Sequence, residues 1–200
     1  MDLSYLRGIV FDLDGTLADS RLNFDAMRAE TGCPQGTGLL EYIDQLQDQA
    51  EQQQTLAVIN HYEMLGAQAA TWITGAEPVL VELRERGLPI GIFTRNSRRA
   101  ARLMIDALSI PCDHLVAREN APAKPNPAGL HQIARGWQLA PAQLLCVGDF
   151  LYDLEAAANA GMLSGLYDPG GDSPHGEHAD FTFQHFDQLA ALLFEEPHYD

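Results

Sequence analysis

One stretch near the start of the chain constrains the fold more than any other part of the sequence. Residues 8–16 read GIVFDLDGT, so an apolar run ends in two aspartates spaced two residues apart, followed by a glycine and a hydroxyl. An apolar run of this kind predicts a strand that is buried on both faces. Residues two apart on a strand point to the same face. A strand that continues through Asp14 would therefore bring the carboxylates of Asp12 and Asp14 together.

Two neighbouring carboxylates need a compensating group. Charges about 5 Å apart repel by roughly 3 kcal/mol at an effective dielectric constant near 20. A bound cation or a shared proton removes this cost. The motif alone leaves other interpretations open. A hairpin turn needs a second alternating strand, which the next residues do not provide, and a calcium loop needs other ligand spacing and a preceding helix. A short motif also occurs by chance.

The composition limits the partners that such a site can have. The chain has 200 residues, with 28 acidic and 12 basic side chains and a formal net charge of −16. Nucleic acids and anionic membranes both bind basic surfaces, so neither is expected as a partner. A phosphorylated small molecule remains compatible with this charge, because a few local cations are enough to bind it.

The length and the cysteines limit the fold and the compartment. A chain of this size, with 46% hydrophobic residues, fits one domain, alone or with an insertion. Cys33, Cys112 and Cys146 are widely spaced and form neither a disulfide framework nor a zinc motif. The first residues do not resemble a signal peptide, and no stretch has membrane-spanning length. We therefore expect a cytoplasmic protein, for which a monomer is a compatible state.

From residue 76 onward, apolar runs alternate with helical periodicities. After the first strand, the predicted strands are residues 88–93, 114–117, 144–147, 163–167 and 180–183. Helices are predicted between them, one beginning near Ser97, another ending at Gly161, and a closing one over residues 185–194. Strands that alternate with helices predict an α/β fold with a Rossmann-like, doubly wound parallel sheet.

Residues 18–75 have a different pattern. They show helical periodicity without a convincing strand, and eight acidic side chains against Arg21 and Arg28 give them a net charge of −6. Thr37 is predicted to cap a helix with the apolar stripe Leu39, Leu40, Ile43 and Leu46. A further helix is predicted to bury Leu56, Ile59, Tyr62 and Leu65. We interpret residues 18–75 as a small all-helical insertion after strand one, with residues 1–17 and 76–200 as the core domain.

Polar groups follow several predicted strands at the same edge of the sheet. Thr94 ends the second strand, Asp149 follows the fourth, and Asp153 lies at the next helix start, where a carboxylate suits the helix dipole. Lys124, the only lysine in the chain, follows the third strand. Each residue alone has an ordinary explanation as a cap, a turn residue or a surface cation. Because ligands bind beyond the carboxyl ends of parallel strands, their recurrence with Asp12 predicts one shared site.

Four motifs carry a family resemblance. They are DLDGT at 12–16, GIFT at 91–94, KPNP at 124–127 and GDFLYD at 148–153. In this order they resemble the haloacid dehalogenase superfamily of phosphohydrolases, in the subgroup of phosphoglycolate phosphatases and phosphoglucomutase-like proteins. That subgroup has a small helical cap inserted after the first motif, here residues 18–75. The resemblance covers the core, whereas the cap carries little family information.

The resemblance implies a role for each acidic motif residue. Asp12 would be the nucleophile that forms an aspartyl-phosphate. Asp14 would protonate the leaving group and then activate water. Mg²⁺ would be held by Asp12, the backbone carbonyl of Asp14 and Asp149. Asp153 would be a further ligand or a group that supports the ligands.

The resemblance also implies the residues that bind the substrate. Thr94 and Lys124 would hold the phosphoryl oxygens, with Arg95 and Asn96 beside them. Within the cap, Arg21 and Arg28 are the only cations, and we expect one of them to meet a polar or anionic end of the leaving group. The alternative is that both are solvated or paired with the nearby acids Asp25 and Glu30.

The implied function is Mg²⁺-dependent hydrolysis of a small phosphomonoester. Asp14 argues against a true dehalogenase, which lacks the second acid. The absence of a lysine from the cap argues against a Schiff-base hydrolase of phosphonates. A phosphosugar mutase shares all four motifs and remains an alternative, as does a catalytically silent binding protein on the same fold. With so few cations in the cap, we expect a compact sugar or acid phosphate to be a better substrate than a nucleotide triphosphate.

Overall fold

The computed structural model describes residues 3–194, and all structural statements concern this range. Its strands are β1 (Gly8–Phe11), β2 (Ala18–Asp19), β3 (Thr71–Trp72), β4 (Ile90–Phe93), β5 (His114–Val116), β6 (Leu144–Gly148), β7 (Leu163–Tyr167) and β8 (Phe181–Phe183). Its α-helices are α1 (Phe24–Thr31), α2 (Leu39–Gln45), α3 (Gln49–Ala69), α4 (Ala76–Glu85), α5 (Arg98–Leu108), α6 (Ala128–Trp137), α7 (Leu151–Ala160) and α8 (Phe186–Phe194).

Six strands form one parallel sheet in the order β5-β4-β1-β6-β7-β8. The chain builds β4 and β5 on one side of β1 and then β6, β7 and β8 on the other. The sheet order therefore reverses at β1, and such a reversal opens a crevice at the carboxyl ends of the strands. This topology confirms the predicted α/β fold with a Rossmann-like sheet.

The sheet is covered on both faces, as the apolar sequence of β1 requires. Ile9 and Phe11 point into the larger core cluster, which includes residues of α4, α5 and α8. Val10 points the other way, into a second cluster with residues of α6 and α7. Because both faces of β1 are buried, hydrophobic packing holds the segment that leads to Asp12 in one position.

The first strand is shorter than predicted. It ends at Phe11, and Asp14 instead forms an isolated bridge with Ala18. The carbonyl of Leu13 accepts hydrogen bonds from the backbone N–H groups of Leu17 and Ala18, both at 2.9 Å. A tight turn, rather than a continued strand, therefore places Asp14 at the carboxyl edge of the sheet.

Helices α1, α2 and α3 share a small core of their own. Its buried members are Met27, Cys33, Leu39 and Ile59. This cluster is separate from the two that cover the sheet. We therefore propose that residues 18–75 form a cap domain, with the boundaries that the sequence predicts.

The expectation that residues 18–75 contain no strand is wrong. Ala18 pairs with Trp72 and Asp19 with Thr71 in the two-residue antiparallel strands β2 and β3. Strands this short carry no hydrophobic alternation that a sequence pattern could reveal. They join the two chain segments that enter and leave the cap.

Two further details of the cap differ from the prediction. Helix α2 has no side-chain cap, because Gly38 rather than Thr37 holds the N-cap position and glycine has no side chain. Helix α3 buries a different stripe from the predicted one, and only Ile59 is common to both. Leu65 is exposed, whereas the buried positions are Thr55, Ile59, Glu63, Gly66 and Ala67.

No helix within residues 3–194 has both the length and the apolar character needed to cross a membrane.

Candidate active site

The predicted site residues converge on one cavity of about 680 Å³ between the carboxyl edge of the sheet and the cap helices. All ten line it: Asp12, Asp14, Arg21, Arg28, Thr94, Arg95, Asn96, Lys124, Asp149 and Asp153. The sheet edge and the cap contribute opposite walls, so a ligand in this cavity contacts both parts of the chain.

Lys124 lies at the centre of the polar wall. Its buried ammonium donates hydrogen bonds to Asp12 Oδ1 at 2.5 Å, Asp153 Oδ1 at 2.5 Å and the carbonyl of Phe93 at 2.8 Å. Burial opposes the charge, but the carboxylates of Asp12 and Asp153 outweigh it and raise the pKa of Lys124 above its ordinary value. Lys124 therefore remains an ammonium group.

Asp12 and Asp149 lie in an environment with more acidic than basic groups. Burial raises the pKa of Asp12, although Lys124 opposes this effect. Burial also raises the pKa of Asp149, and the charges of Asp12 and Asp153 add to it. One ammonium group thus faces several carboxylates, which leaves a local negative charge that a divalent cation would neutralise.

Gly15 allows Asp149 to reach this position. Gly15 has a φ of 90°, and a Cβ atom on it would lie 2.4 Å from Asp149 Oδ2. The carboxylate of Asp149 therefore packs directly against the backbone of the turn that follows Asp14. Any side chain at position 15 would push the two acidic motifs apart.

The side chain of Asp153 is fully engaged within the protein. Its Oδ1 accepts from Lys124, and its Oδ2 accepts from the backbone N–H of Phe150 at 3.1 Å. Of the two roles that the resemblance implies for Asp153, these contacts favour the one that supports the ligands. Asp153 orients Lys124 and the start of α7.

The carboxylates of this wall fit Mg²⁺ by their chemistry. Mg²⁺ prefers hard oxygen ligands and keeps part of its water shell. Across residues 3–194, no three His, Cys, Asp or Glu side chains form a group that could by itself hold a metal ion. The predicted ligand set does not depend on such a group, because it combines the carboxylates of Asp12 and Asp149 with the backbone carbonyl of Asp14, and Asp153 as a ligand or a supporting group.

Asp14 is held by a residue that the sequence did not identify. Ser20, just after β2, donates to Asp14 Oδ1 from its hydroxyl at 2.5 Å and from its backbone N–H at 3.1 Å. Burial raises the pKa of Asp14, and both hydrogen bonds from Ser20 oppose that shift. No motif links Ser20 to Asp14, because their contact depends on the turn between them.

Thr94 and Asn96 follow β4 into the cavity. Thr94 Oγ1 accepts a hydrogen bond from the backbone N–H of Asn96 at 3.1 Å. The Asn96 side chain is 8% exposed, and its buried Nδ2 has no hydrogen-bond partner in the part of the chain that the structure describes. A buried amide donor without a partner costs free energy unless a ligand satisfies it.

Arg95 spans the core and the cap. Its Nη2 donates to both carboxylate oxygens of Glu41 in α2, at 2.7 Å each, and its Nη1 donates to the carbonyl of Lys124. Its guanidinium also lies 4.3 Å from the ring centre of Tyr152. The predicted substrate-binding arginine thus already has a carboxylate partner.

The two cap arginines match the alternative interpretation in part, because Arg21 is solvated but neither arginine pairs with Asp25 or Glu30. Arg21 is 75% exposed and lies 3.5 Å from Asp19 rather than near Asp25. Arg28 Nη1 donates to the carbonyls of Pro34 at 2.8 Å and Thr37 at 2.6 Å, and not to Glu30. Arg28 therefore holds the loop before α2, while its side chain still lines the cavity.

A buried ion pair connects α3 to the loops after β4 and β5. Glu63 and Arg118 are 4% and 10% exposed, and Arg118 also donates to Asn60 and to the carbonyl of Arg95. Glu63 Oε2 accepts a further hydrogen bond from the backbone N–H of Ser97 at 3.0 Å. The sequence analysis did not single out Glu63, although its position four residues after Ile59 puts it on the same face of the helix.

The sequence is similar to one family model and to several known proteins. The family model described as haloacid dehalogenase-like hydrolase matches residues 9–166. A haloacid dehalogenase-like hydrolase domain-containing protein of Arabidopsis thaliana is 28% identical over 206 residues, covering 94% of this chain and 84% of its own. A phosphoglycolate phosphatase of Cereibacter sphaeroides is 30% identical over 219 residues, covering 93% of this chain and 97% of its own.

A solved structure shows the same fold. The crystal structure of a predicted phosphoglycolate phosphatase from Haemophilus somnus superimposes with a TM-score of 0.74 at 20% identity. The match covers 94% of this chain and 98% of the other. The similarity extends over cap and core together.

Proposed function

Since the chain belongs to the haloacid dehalogenase-like hydrolase family, we propose that it hydrolyses a small phosphomonoester with Mg²⁺ through an aspartyl-phosphate. One observation carries the proposal. The carboxylate of Asp12 lies at the end of β1, hydrogen-bonded by a buried ammonium, and lines a cavity that also contains Asp14 and Asp149. A nucleophile, a proton donor and a metal ligand thus share one ligand-sized space.

Two predictions from the sequence are confirmed by the family match and the relatives. The chain resembles the haloacid dehalogenase superfamily, and it is a phosphoric monoester hydrolase by class. The relatives named phosphoglycolate phosphatase make phosphoglycolate the first ester to test. The substrate, the metal and the covalent intermediate belong to the proposal.

The proposed reaction has two steps, formation and hydrolysis of an aspartyl-phosphate. An oxygen of Asp12 attacks phosphorus, the ester P–O bond breaks, and the leaving oxygen takes a proton from Asp14. Asp14 then accepts a proton from water as that water attacks phosphorus, which releases inorganic phosphate and restores Asp12. Ser20 holds the Asp14 carboxylate for both proton transfers.

The other core residues bind the transferred group. Lys124 supplies positive charge beside Asp12, where the phosphoryl group would be bound. Thr94 and the free amide of Asn96 supply neutral contacts from the end of β4. Asp12, the backbone carbonyl of Asp14 and Asp149 would hold Mg²⁺, and Asp153 would orient Lys124. When bound, the metal would neutralise the negative charge of the phosphoryl oxygens.

Phosphate release from a panel of monoesters tests the proposal. We expect release with Mg²⁺, loss of activity with a chelator, and recovery when Mg²⁺ is restored. Asp149→Asn should raise the Mg²⁺ concentration needed for half-maximal activity, because one of few protein ligands is weakened. Glu177→Asn, in an exposed loop outside the cavity, is the control. Full activity in chelator would overturn the metal assignment.

The two alternatives predict different results in the same panel. A phosphosugar mutase would interconvert sugar phosphates with little release of inorganic phosphate. A catalytically silent binding protein would release none from any ester. The presence of Asp12, Asp14, Lys124 and Asp149 around one cavity supports the hydrolase over the silent protein.

We also propose a cytoplasmic location and a small-molecule partner. The cysteines are free thiols in the described structure, and a reducing compartment keeps thiols in that form. The net charge of −16 argues against nucleic acid as a partner.

A further inference from the structure

The cap wall of the cavity differs in character from the sheet wall. Six apolar side chains of the cap face the space beyond the phosphoryl site: Leu22, Phe24, Met27, Leu39, Leu40 and Ile59. Met27 and Ile59 are almost fully buried, whereas the ring of Phe24 is 53% exposed. The leaving group of a bound ester would contact this wall, because the polar wall holds the phosphoryl group.

The cations on the cavity lining already have contacts within the protein, and they are outnumbered by six acidic side chains against four basic ones. Among the described lining residues, Arg95 is held by both oxygens of Glu41. Arg28 donates to two backbone carbonyls, and Arg21 extends into solvent beside Asp19. The only other cation in the lining is Lys124, which belongs to the phosphoryl site.

Acidic side chains add to this effect. Glu63 lines the cavity, although its carboxylate is paired with Arg118. Asp19 lies at the same opening. A carboxylate on the leaving group would lose water against the apolar wall, in a cavity whose lining has more acidic than basic side chains.

From this geometry we propose that the leaving group is an uncharged alcohol with an apolar part that packs against the cap wall. The proposal rests on the proposed function, since it assigns the substrate class of the same site. The sequence analysis expected a compact sugar or acid phosphate, and this proposal disfavours the acid. The cavity of about 680 Å³ is large enough for such a group together with the phosphoryl group.

The first test uses two esters that differ only at the far end. Hexyl phosphate and 5-carboxypentyl phosphate have chains of equal length and leaving oxygens of similar basicity. We expect kcat/KM for hexyl phosphate to exceed that for 5-carboxypentyl phosphate by at least about tenfold. Benzyl phosphate should likewise exceed ethyl phosphate. An equal or higher kcat/KM for the phosphate ester that carries a carboxylate overturns the proposal. The same holds if phosphoglycolate is hydrolysed as well as ethyl phosphate or better.

Two substitutions locate the preference in the cap. Phe24→Ala should reduce the ratio of benzyl to ethyl phosphate hydrolysis about fivefold or more, because the ring loses an apolar contact. Leu65→Ala is the matched control, since Leu65 is an exposed apolar residue of the cap outside the cavity. An unchanged ratio in Phe24→Ala, or an equal fall in both variants, contradicts the role of the cap wall.

A gain of activity provides an independent test. Glu41→Gln should free the guanidinium of Arg95, so that 5-carboxypentyl phosphate improves relative to hexyl phosphate by several-fold. Glu51→Gln, on the first turn of α3 and exposed, is the control. If Glu41→Gln leaves the ratio unchanged, the Arg95–Glu41 pair does not exclude anionic leaving groups.

A binding measurement separates failure of this inference from failure of the proposed function. In the Asp12→Asn variant with Mg²⁺, calorimetry should give a lower Kd for hexyl phosphate than for 5-carboxypentyl phosphate. If phosphate esters with a carboxylate in the leaving group are hydrolysed in preference to those with an uncharged leaving group, the inference alone is overturned. No phosphate release from any ester overturns both.

Discussion

The two walls of the cavity use charge in opposite ways. On the sheet wall, Lys124 is buried between Asp12 and Asp153 and faces the reacting groups. On the cap wall, Arg28 is turned toward backbone carbonyls, and the surface left for a ligand is mostly apolar. The first wall presents charged side chains to the cavity, whereas the second presents a mostly apolar surface.

This difference assigns different tasks to the two walls. Strand ends packed on both faces hold the charged groups in one geometry, which a reaction with a defined transition state requires. An apolar wall formed mainly by α1, α2 and α3 favours uncharged groups that fit its shape. Two ion pairs, Arg95–Glu41 and Arg118–Glu63, join the walls, one partly exposed and one buried.

The largest effect is expected from Asp12, the proposed nucleophile on the sheet wall. Asp12→Asn should lower kcat by about 10⁴-fold or more, because no covalent intermediate can form on the amide. Circular dichroism and thermal unfolding should show an intact fold. A variant that retains near-native turnover would exclude the covalent mechanism and remove the distinction between the two walls.

The next effect concerns the buried pair that joins the walls. Glu63→Gln should lower the free energy of unfolding by about 3 kcal/mol, since it leaves the guanidinium of Arg118 buried without its counter-charge. Glu82→Gln breaks an exposed pair with Arg86 and should cost less than about 1 kcal/mol. Urea unfolding measures both values. Equal losses in the two variants would show that burial does not decide the strength of these pairs.

A smaller effect is expected where the cap entry meets the proton donor. Ser20→Ala removes the hydroxyl that donates to Asp14 and should lower kcat about tenfold, with a smaller change in KM. Thr182→Ala removes an exposed hydroxyl on β8 and is the control. If KM rises while kcat stays constant, Ser20 binds substrate rather than positions Asp14.

The smallest effects are expected from the cap arginines. Arg28→Ala should lower the free energy of unfolding by about 1–2 kcal/mol, because the hydrogen bonds to Pro34 and Thr37 are lost. It should also lower kcat/KM for alkyl and aryl phosphates to the same extent. Arg21→Ala should change neither, because its side chain is exposed. A loss confined to one leaving group would instead support the substrate contact that the sequence analysis expected.

The success of the sequence analysis differed between the two walls for a physical reason. Asp12, Thr94 and Asp149 each follow a strand whose apolar run is visible in the sequence, and parallel strands align their carboxyl ends. Their convergence in one cavity could therefore be predicted from local patterns. The pairings of Arg21 and Arg28 could not, because several acids lie nearby in the sequence and the loop conformation selects among them.

Helix α3 shows the same limit within one element. Its predicted apolar face used Leu56, Tyr62 and Leu65, whereas the buried stripe includes Thr55 and Glu63. A helix has several faces of similar polarity when its apolar residues are scattered, so the partner that packs on it decides which face is buried. The contact with Ser97 and Arg118 selected the face with Glu63.

By itself, the sequence predicted the parallel α/β sheet, a helical insertion after the first strand and ten residues that line the cavity. These follow from short-range periodicity and from the order of four motifs along the chain. Only the tertiary structure decided that Ser20 holds Asp14, that Glu41 occupies Arg95, and that Glu63 is buried against Arg118. The last two pairs join residues more than 50 positions apart in the chain, and the energy of such a contact depends on burial and geometry that no local pattern contains.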